Sequence, residues 1–438
     1  MGESRNGIPL ARSGAVRGSL LRFTLVLAIV ASTTRCTVIN AVIASDKREI
    51  YHFAPSFSVD SPDFRRSLDT LGQAMVTGNS VELLKNGDQI FPAMVEAIGR
   101  ARASVNLESY IFRGDRAGRI VADALISAAR RGVEVRLLVD AVGGKLGALA
   151  AEMKQAGVKV HTYRPIRLIS IYRLGRRTHR KILVVDGRVC FTGGLGIADA
   201  WLGDARNPRE WRDTQVRAEG PVAAQMQSIF SEDWTYTTGE IIAGGKFYPE
   251  IKPAGTVSAQ AIKASRGDPS SFAKMVYYIS IQSAQHTIQM ENAYFIPDAQ
   301  SRQALVNAAR RGVDVQVIVA GLHIDLPFVR SASRNHYGEL LEGGVKIFEY
   351  APTMMHNKTM VVDGIYSTIG SINFDARSMN TNAEESLAFY DRGIAGRMEE
   401  MFREDLARSR PVTFQNWKHR GLGARLSETI FWIWEPYY

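Results

Sequence analysis

Two short segments carry residues whose types and spacing suit phosphoryl chemistry. One runs through His179, Lys181 and Asp186, the other through His356, Lys358 and Asp363, so each reads His-x-Lys-x4-Asp. An imidazole serves as nucleophile or proton carrier. An ammonium beside it binds a phosphoryl oxygen and stabilises the charge developing there. After six further residues each segment reaches a small-residue turn, Gly193-Gly194-Leu195-Gly196 and Gly370-Ser371-Ile372-Asn373. Such turns add backbone and side-chain donors, which marks Gly193, Gly194, Ser371 and Asn373 as phosphate-binding or supporting residues. Two of only eight histidines stand at these repeated positions, so the pair is no coincidence of core histidines.

The positioning elements follow from the same patterns. The apolar runs 182–185 and 359–362 predict strands. Residues i and i+2 of a strand share a face, so histidine and lysine project together. Asp186 and Asp363 fall on the opposite face, beside Gly187 and Gly364, and read as turn or salt-bridge residues. The surroundings are duplicated as well. AARRGVEVRLLVD (128–140) answers AARRGVDVQVIVA (308–320), each a helix end, a glycine stop and an apolar strand. Upstream lie VNLESYIF with Glu108 and IQMENAYFIPD with Glu291; downstream lie AGVKVHTY and GGVKIFEY. Helical stretches at 91–102 and 303–311 alternate with these strands. The class is α/β, in two tandem domains at 51–245 and 255–410. The Gly-, Pro- and Ala-rich stretch 239–267 reads as the linker.

The 438 residues are 45% hydrophobic and 22% charged, which excludes a disordered or multi-span membrane chain. Two cysteines exclude a disulfide framework and a cysteine-rich zinc module. The net charge of +10 is unevenly spread: +4 in residues 1–50, +8 in 159–181 and +5 in 407–425, leaving −7 elsewhere. Residues 1–50 join basic residues to a short apolar run and read as a signal-like or anchoring segment. Residues 411–438 form a basic tail whose last nine residues include five aromatics, a composition suited to a membrane interface. The charge suits an anionic bilayer, with nucleic acid as the secondary reading.

The duplicated motif resembles the phospholipase D superfamily, whose fuller pattern, His-x-Lys-x4-Asp-x6-Gly-Ser-x-Asn, the second copy matches throughout. The first copy departs, with Gly194 for serine and Gly196 for asparagine. NGDQIFPAMVEAI, GIADAW, EWRDTQVRAEGP, IFSEDW and GSINFDARS further resemble the bacterial cardiolipin synthases. The resemblance implies two domains about a pseudo-twofold axis, with one active site at the seam. It implies catalysis by His179, Lys181, Asp186, His356, Lys358 and Asp363 with no metal and no cofactor. The implied reaction joins two phosphatidylglycerol molecules into cardiolipin and glycerol through a phosphohistidine. His179 is expected as nucleophile and His356 as acid and base. Asp213 and Glu384 occupy positions that orient the imidazoles. Glu108 and Glu291 fit either a lining or a structural role, while His323 and Asp325 read as loop residues. The implied setting is the bacterial inner membrane, with an anionic phospholipid as partner and no nucleic acid. A monomer suffices because one chain carries both motifs. A phospholipase D hydrolase and a nuclease use the same motif and are the alternatives.

Overall fold

The computed structural model describes residues 51–54, 56–166, 176–264 and 272–421, together with 423, 425 and 428. The anchor-like segment, the aromatic end of the tail and the centre of the basic loop before His179 lie outside them. Residues 51–438 form one compact unit.

The first half contributes strands β1 (Val76–Lys85), β2 (Ser104–Ser109), β3 (Glu134–Asp140), β4 (Lys159–Tyr163), β5 (Lys181–Val185), β6 (Val189–Gly193) and β7 (Thr214–Glu219). The second contributes β8 (Val257–Ala264), β9 (Thr287–Asn292), β10 (Asp314–Ala320), β11 (Lys346–Tyr350), β12 (Lys358–Val362), β13 (Tyr366–Gly370), β14 (Glu384–Tyr390) and β15 (Ser409–Val412). All fifteen join one sheet in the order β15-β11-β10-β9-β12-β13-β14-β8-β1-β7-β6-β5-β2-β3-β4. Read outward from the central β8–β1 pair, both halves have the same order and the same strand directions. Three strands run parallel (β2-β3-β4 and β9-β10-β11) and the rest antiparallel. Only β15 has no counterpart.

Three longer helices recur in each half: α1 (Asn86–Arg100), α2 (Arg116–Arg130) and α3 (Val222–Thr238), then α4 (Phe272–Ser283), α5 (Ala299–Arg310) and α6 (Arg392–Ala407). Helices α2 and α5 begin alike. Asp115 and Asp298 each accept a hydrogen bond from the amide three residues on, satisfying a donor with no partner inside the helix. Both end alike too, at Gly132 (φ +86°) and Gly312 (φ +95°), where the left-handed turn suits glycine.

The two halves share a core. Ile182, Val184, Val216 and Ala218 of the first half pack in one buried cluster with Val361, Ile369, Leu387 and Phe389 of the second. Phe230 and Trp234 of α3 and Met398 of α6 complete it. The predicted linker therefore contains a strand of the sheet. Its residues 257–264 form β8, which bridges β1 and β14. The small side chains of Ala259 and Ala261 gave little strand signal, but they fit this crowded core.

Candidate active site

Each His-x-Lys segment is tied to the opposite half. Strands β5 and β12 begin at the lysines, so both histidines stand just before a strand rather than in it. Each lysine Nζ donates back to its own histidine carbonyl at 2.7 Å. The His179 amide donates to Ala383 O at 2.8 Å, and the His356 amide to Arg212 O at 2.7 Å. Those two carbonyls immediately precede Glu384 and Asp213. The backbone pairing thereby brings His179 Nδ1 to 2.8 Å from Glu384 Oε2 and His356 Nδ1 to 3.0 Å from Asp213 Oδ2. A carboxylate only accepts, so Nδ1 carries the proton and Nε2 is left with a free lone pair.

The carboxylates are held by different means in the two halves. Glu384 accepts from Ser371 Oγ at 2.5 Å and from Ser378 Oγ at 2.8 Å. Asp213 accepts from the Thr214 amide and from Trp201 Nε1, both at 2.8 Å. Trp201 and Ser378 stand the same eight residues beyond Gly193 and Gly370, so an indole N–H does in one copy what a hydroxyl does in the other. The departure of the first copy from the serine pattern at Gly194 has a steric cause. A Cβ on Gly194 would sit 2.3 Å from Asp213 Oδ1 and 2.5 Å from the His356 carbonyl oxygen. Gly193 is equally confined, with the Thr214 carbonyl oxygen 2.4 Å from a notional Cβ. Asn373 Nδ2 lies 3.4 Å from Ser378 Oγ, on the serine that holds Glu384.

Aromatic rings close on both imidazoles. Tyr110 meets His179 edge-on at 5.0 Å, and Tyr294 meets His356 edge-on at 6.1 Å. Lys181 and Lys358 lie 5.8 Å from the same two ring centroids. Trp201 and Trp211 add 5.3 Å and 5.7 Å contacts to His356. Burial dominates the electrostatics. It pushes both imidazoles down to about 4, against the pull of Glu384 and Asp213, so both are neutral at pH 7. Burial likewise lowers Lys181, and it lowers Lys358 to about 7. Burial also pushes the Glu384 carboxyl up, but His179, Lys181 and Ser371 more than offset this, and it stays ionised. The Lys358 charge acts on His179 and the Lys181 charge on His356, so the two motifs face one site.

The remaining sequence candidates take other places. Asp186 accepts from the amides of Arg102, Ala103 and Ser104, and Asp363 from those of Gln285, His286 and Thr287. Both sit at positive φ in the turn beyond their strand, anchoring the starts of β2 and β9. Glu108 accepts from Thr178 Oγ1, and Glu291 from Asn357 Nδ2 and Thr359 Oγ1, so they brace the histidine segments from behind. Burial and then Asp405 raise Glu291 to about 8. Asp325 accepts from the Tyr294 hydroxyl at 2.8 Å, which ties its loop to the site. Arg212 pairs with Asp405, leaving the adjacent Asp213 to His356. Tyr110, Tyr294 and Trp201 were not singled out from sequence. The repeated Glu-Ser-Tyr and Glu-Asn-Ala-Tyr strings were the available signal.

The family model described as "Cardiolipin synthase, PLD-like domain" matches residues 94–234 and 277–406, one match per half. A cardiolipin synthase of Geobacillus sp. (strain WCH70) is 35% identical over 84% of this chain and 74% of its own. The chain belongs to the cardiolipin synthase family. Cardiolipin synthase A of Erwinia tasmaniensis is 32% identical over 90% of this chain and 83% of its own. The fold also resembles phosphatidylserine synthase of Haemophilus influenzae. That similarity has a TM-score of 0.66 at 13% identity and covers 84% of this chain and 96% of the other. Each of the two family matches lies within one half of the sheet, leaving out β1, β8 and β15.

Proposed function

We propose that the protein is a phosphatidyltransferase that condenses two phosphatidylglycerol molecules into cardiolipin and glycerol. The observation that carries this reading is the pair of histidine–carboxylate contacts, each completed across the halves, with both lysines facing the same site. His179 Nε2 attacks phosphorus and the bond to the headgroup glycerol breaks. His356 gives that glycerol a proton. A bound phosphodiester brings the negative charge that favours the His356 imidazolium. His356, now neutral, takes the proton from a hydroxyl of a second phosphatidylglycerol. That oxygen attacks phosphorus and releases His179. Lys181 and Lys358 neutralise the non-bridging oxygens. Glu384 and Asp213 fix the tautomers and stabilise each imidazolium. Asp186 and Asp363 act through the backbone they anchor, and Ser371 through Glu384.

The site would work at a membrane surface, on the bacterial inner membrane, with the chain acting as a monomer. No helix among the described residues is long and apolar enough to cross a membrane. The test is product analysis on phosphatidylglycerol vesicles in EDTA. Cardiolipin with stoichiometric glycerol is expected. Phosphatidic acid as sole lipid product would make the enzyme a hydrolase. His179-dependent cleavage of DNA would make it a nuclease.

A further inference from the structure

The two ends of the site are built from equivalent positions but differ in chemistry. Residues 193–201 and 370–378 correspond one to one, so Ala200 is the counterpart of Arg377. Ala200 packs with Trp201 and Trp211 in an apolar cluster on the His356 side. Arg377 immediately precedes Ser378, the residue that holds Glu384 and through it His179. Arg377 is half-buried. Its Nε is fully buried with no hydrogen-bond partner, and its charge acts on the buried Asp375 carboxyl two residues before it without an ion pair among the described residues. A buried guanidinium N–H without an acceptor is costly, and a ligand that accepts from it relieves that cost.

The tyrosines repeat the asymmetry. At the His356 end the Tyr294 hydroxyl is committed to both oxygens of Asp325. At the His179 end Tyr110 presses on the imidazole with no hydrogen bond from its hydroxyl to any described residue. The Arg377 charge reaches that hydroxyl, opposing the upward push of burial on it. Two groups with open donor capacity, the guanidinium within electrostatic reach of the hydroxyl, thus belong to one end of a site whose other end is apolar or already paired.

Resting on the phosphatidyltransferase reading, we infer that Arg377, with the Tyr110 hydroxyl, binds the second phosphate in the reaction, the phosphodiester of the acceptor lipid. Lys181 and Lys358 serve the phosphorus that reacts. An acceptor with its own phosphodiester brings a second anion that they do not neutralise. Arginine presents a planar fork of donors that matches phosphate oxygens. Arg377 therefore selects a phosphate-bearing acceptor over water or a simple alcohol, and it acts on choice of acceptor rather than on attack by His179.

The test partitions one phosphatidyl-enzyme between two acceptors. Full-length protein is given phosphatidylglycerol vesicles containing ethanol, and the ratio of cardiolipin to phosphatidylethanol is measured. Because both products come from the same intermediate, the ratio does not depend on the fraction of enzyme that is folded. Arg377→Gln is expected to lower it by about tenfold or more, from the loss of charge-assisted hydrogen bonds. Arg377→Lys, which keeps a point charge, should fall between that and wild type. An unchanged ratio in both variants overturns the assignment. So does loss of both products from both variants, which would place Arg377 in the first transfer. Failure of the wild-type protein to form any cardiolipin would instead overturn the phosphatidyltransferase reading itself.

Discussion

At the scale of residues, the proposed reaction runs through the two imidazoles, and their environments set when they can act. Burial pushes both down to about 4, so the unprotonated form needed for attack is present above that pH. The cation at Lys358 is lost as pH rises through about 7. The first transfer needs His179 neutral and His356 protonated, so we expect kcat/KM, which reports the free enzyme, to fall below about pH 4, to decline as pH rises above it, and to fall more steeply above about pH 7 where the Lys358 cation is lost. Lys358→Arg keeps its charge and should move the alkaline limb upward; an unmoved limb would assign that ionisation elsewhere. A second expectation separates the histidines. His356→Ala should slow turnover at least about 100-fold yet leave a phosphoenzyme on His179 that mass spectrometry detects. His179→Ala should leave none, and a label on His356 would reverse the assignment.

At the scale of elements, turns and strand starts do more than connect. Gly194 is small because the Asp213 carboxylate occupies the space of a side chain. Restoring the family serine with Gly194→Ser should therefore lower activity by more than about tenfold, by displacing Asp213 from His356. Retained activity would show that Asp213 need not stay where it stands. Asp363 answers three amides at the start of β9. Asp363→Ala should cost about 2–4 kcal/mol in denaturant unfolding by leaving those donors unpaired. Lost activity at unchanged stability would return Asp363 to the chemical step. The basic loop before His179 is less of a docking surface than its charge count implies. Lys159 pairs with Glu134 and Glu240, Arg177 with Asp140 and Arg180 with Asp233, while Lys181 belongs to the site. Arg176 is exposed, and Arg167 and Arg173 lie outside the described residues.

At the scale of the whole molecule, neither half is complete. Each histidine takes its carboxylate from the other half, and one buried core spans both. Residues 51–245 and 255–438 produced separately should each be inactive and should aggregate, because each would expose its share of that core. A soluble, active single half in gel filtration and assay would contradict this. The sequence by itself determined the duplicated α/β units and both His-x-Lys pairs, because periodicity and motif spacing are local properties of a chain. It also pointed to Asp213 and Glu384, through resemblance rather than geometry. Only the tertiary structure decided that these carboxylates cross between halves and that β8 makes one sheet of two domains. Those outcomes depend on contacts between residues about 140 to 200 positions apart, for which the linear pattern holds no record. The same holds for Arg377 and Ala200. Their equivalence is legible in the sequence, but their different surroundings arise only when the halves close on one site.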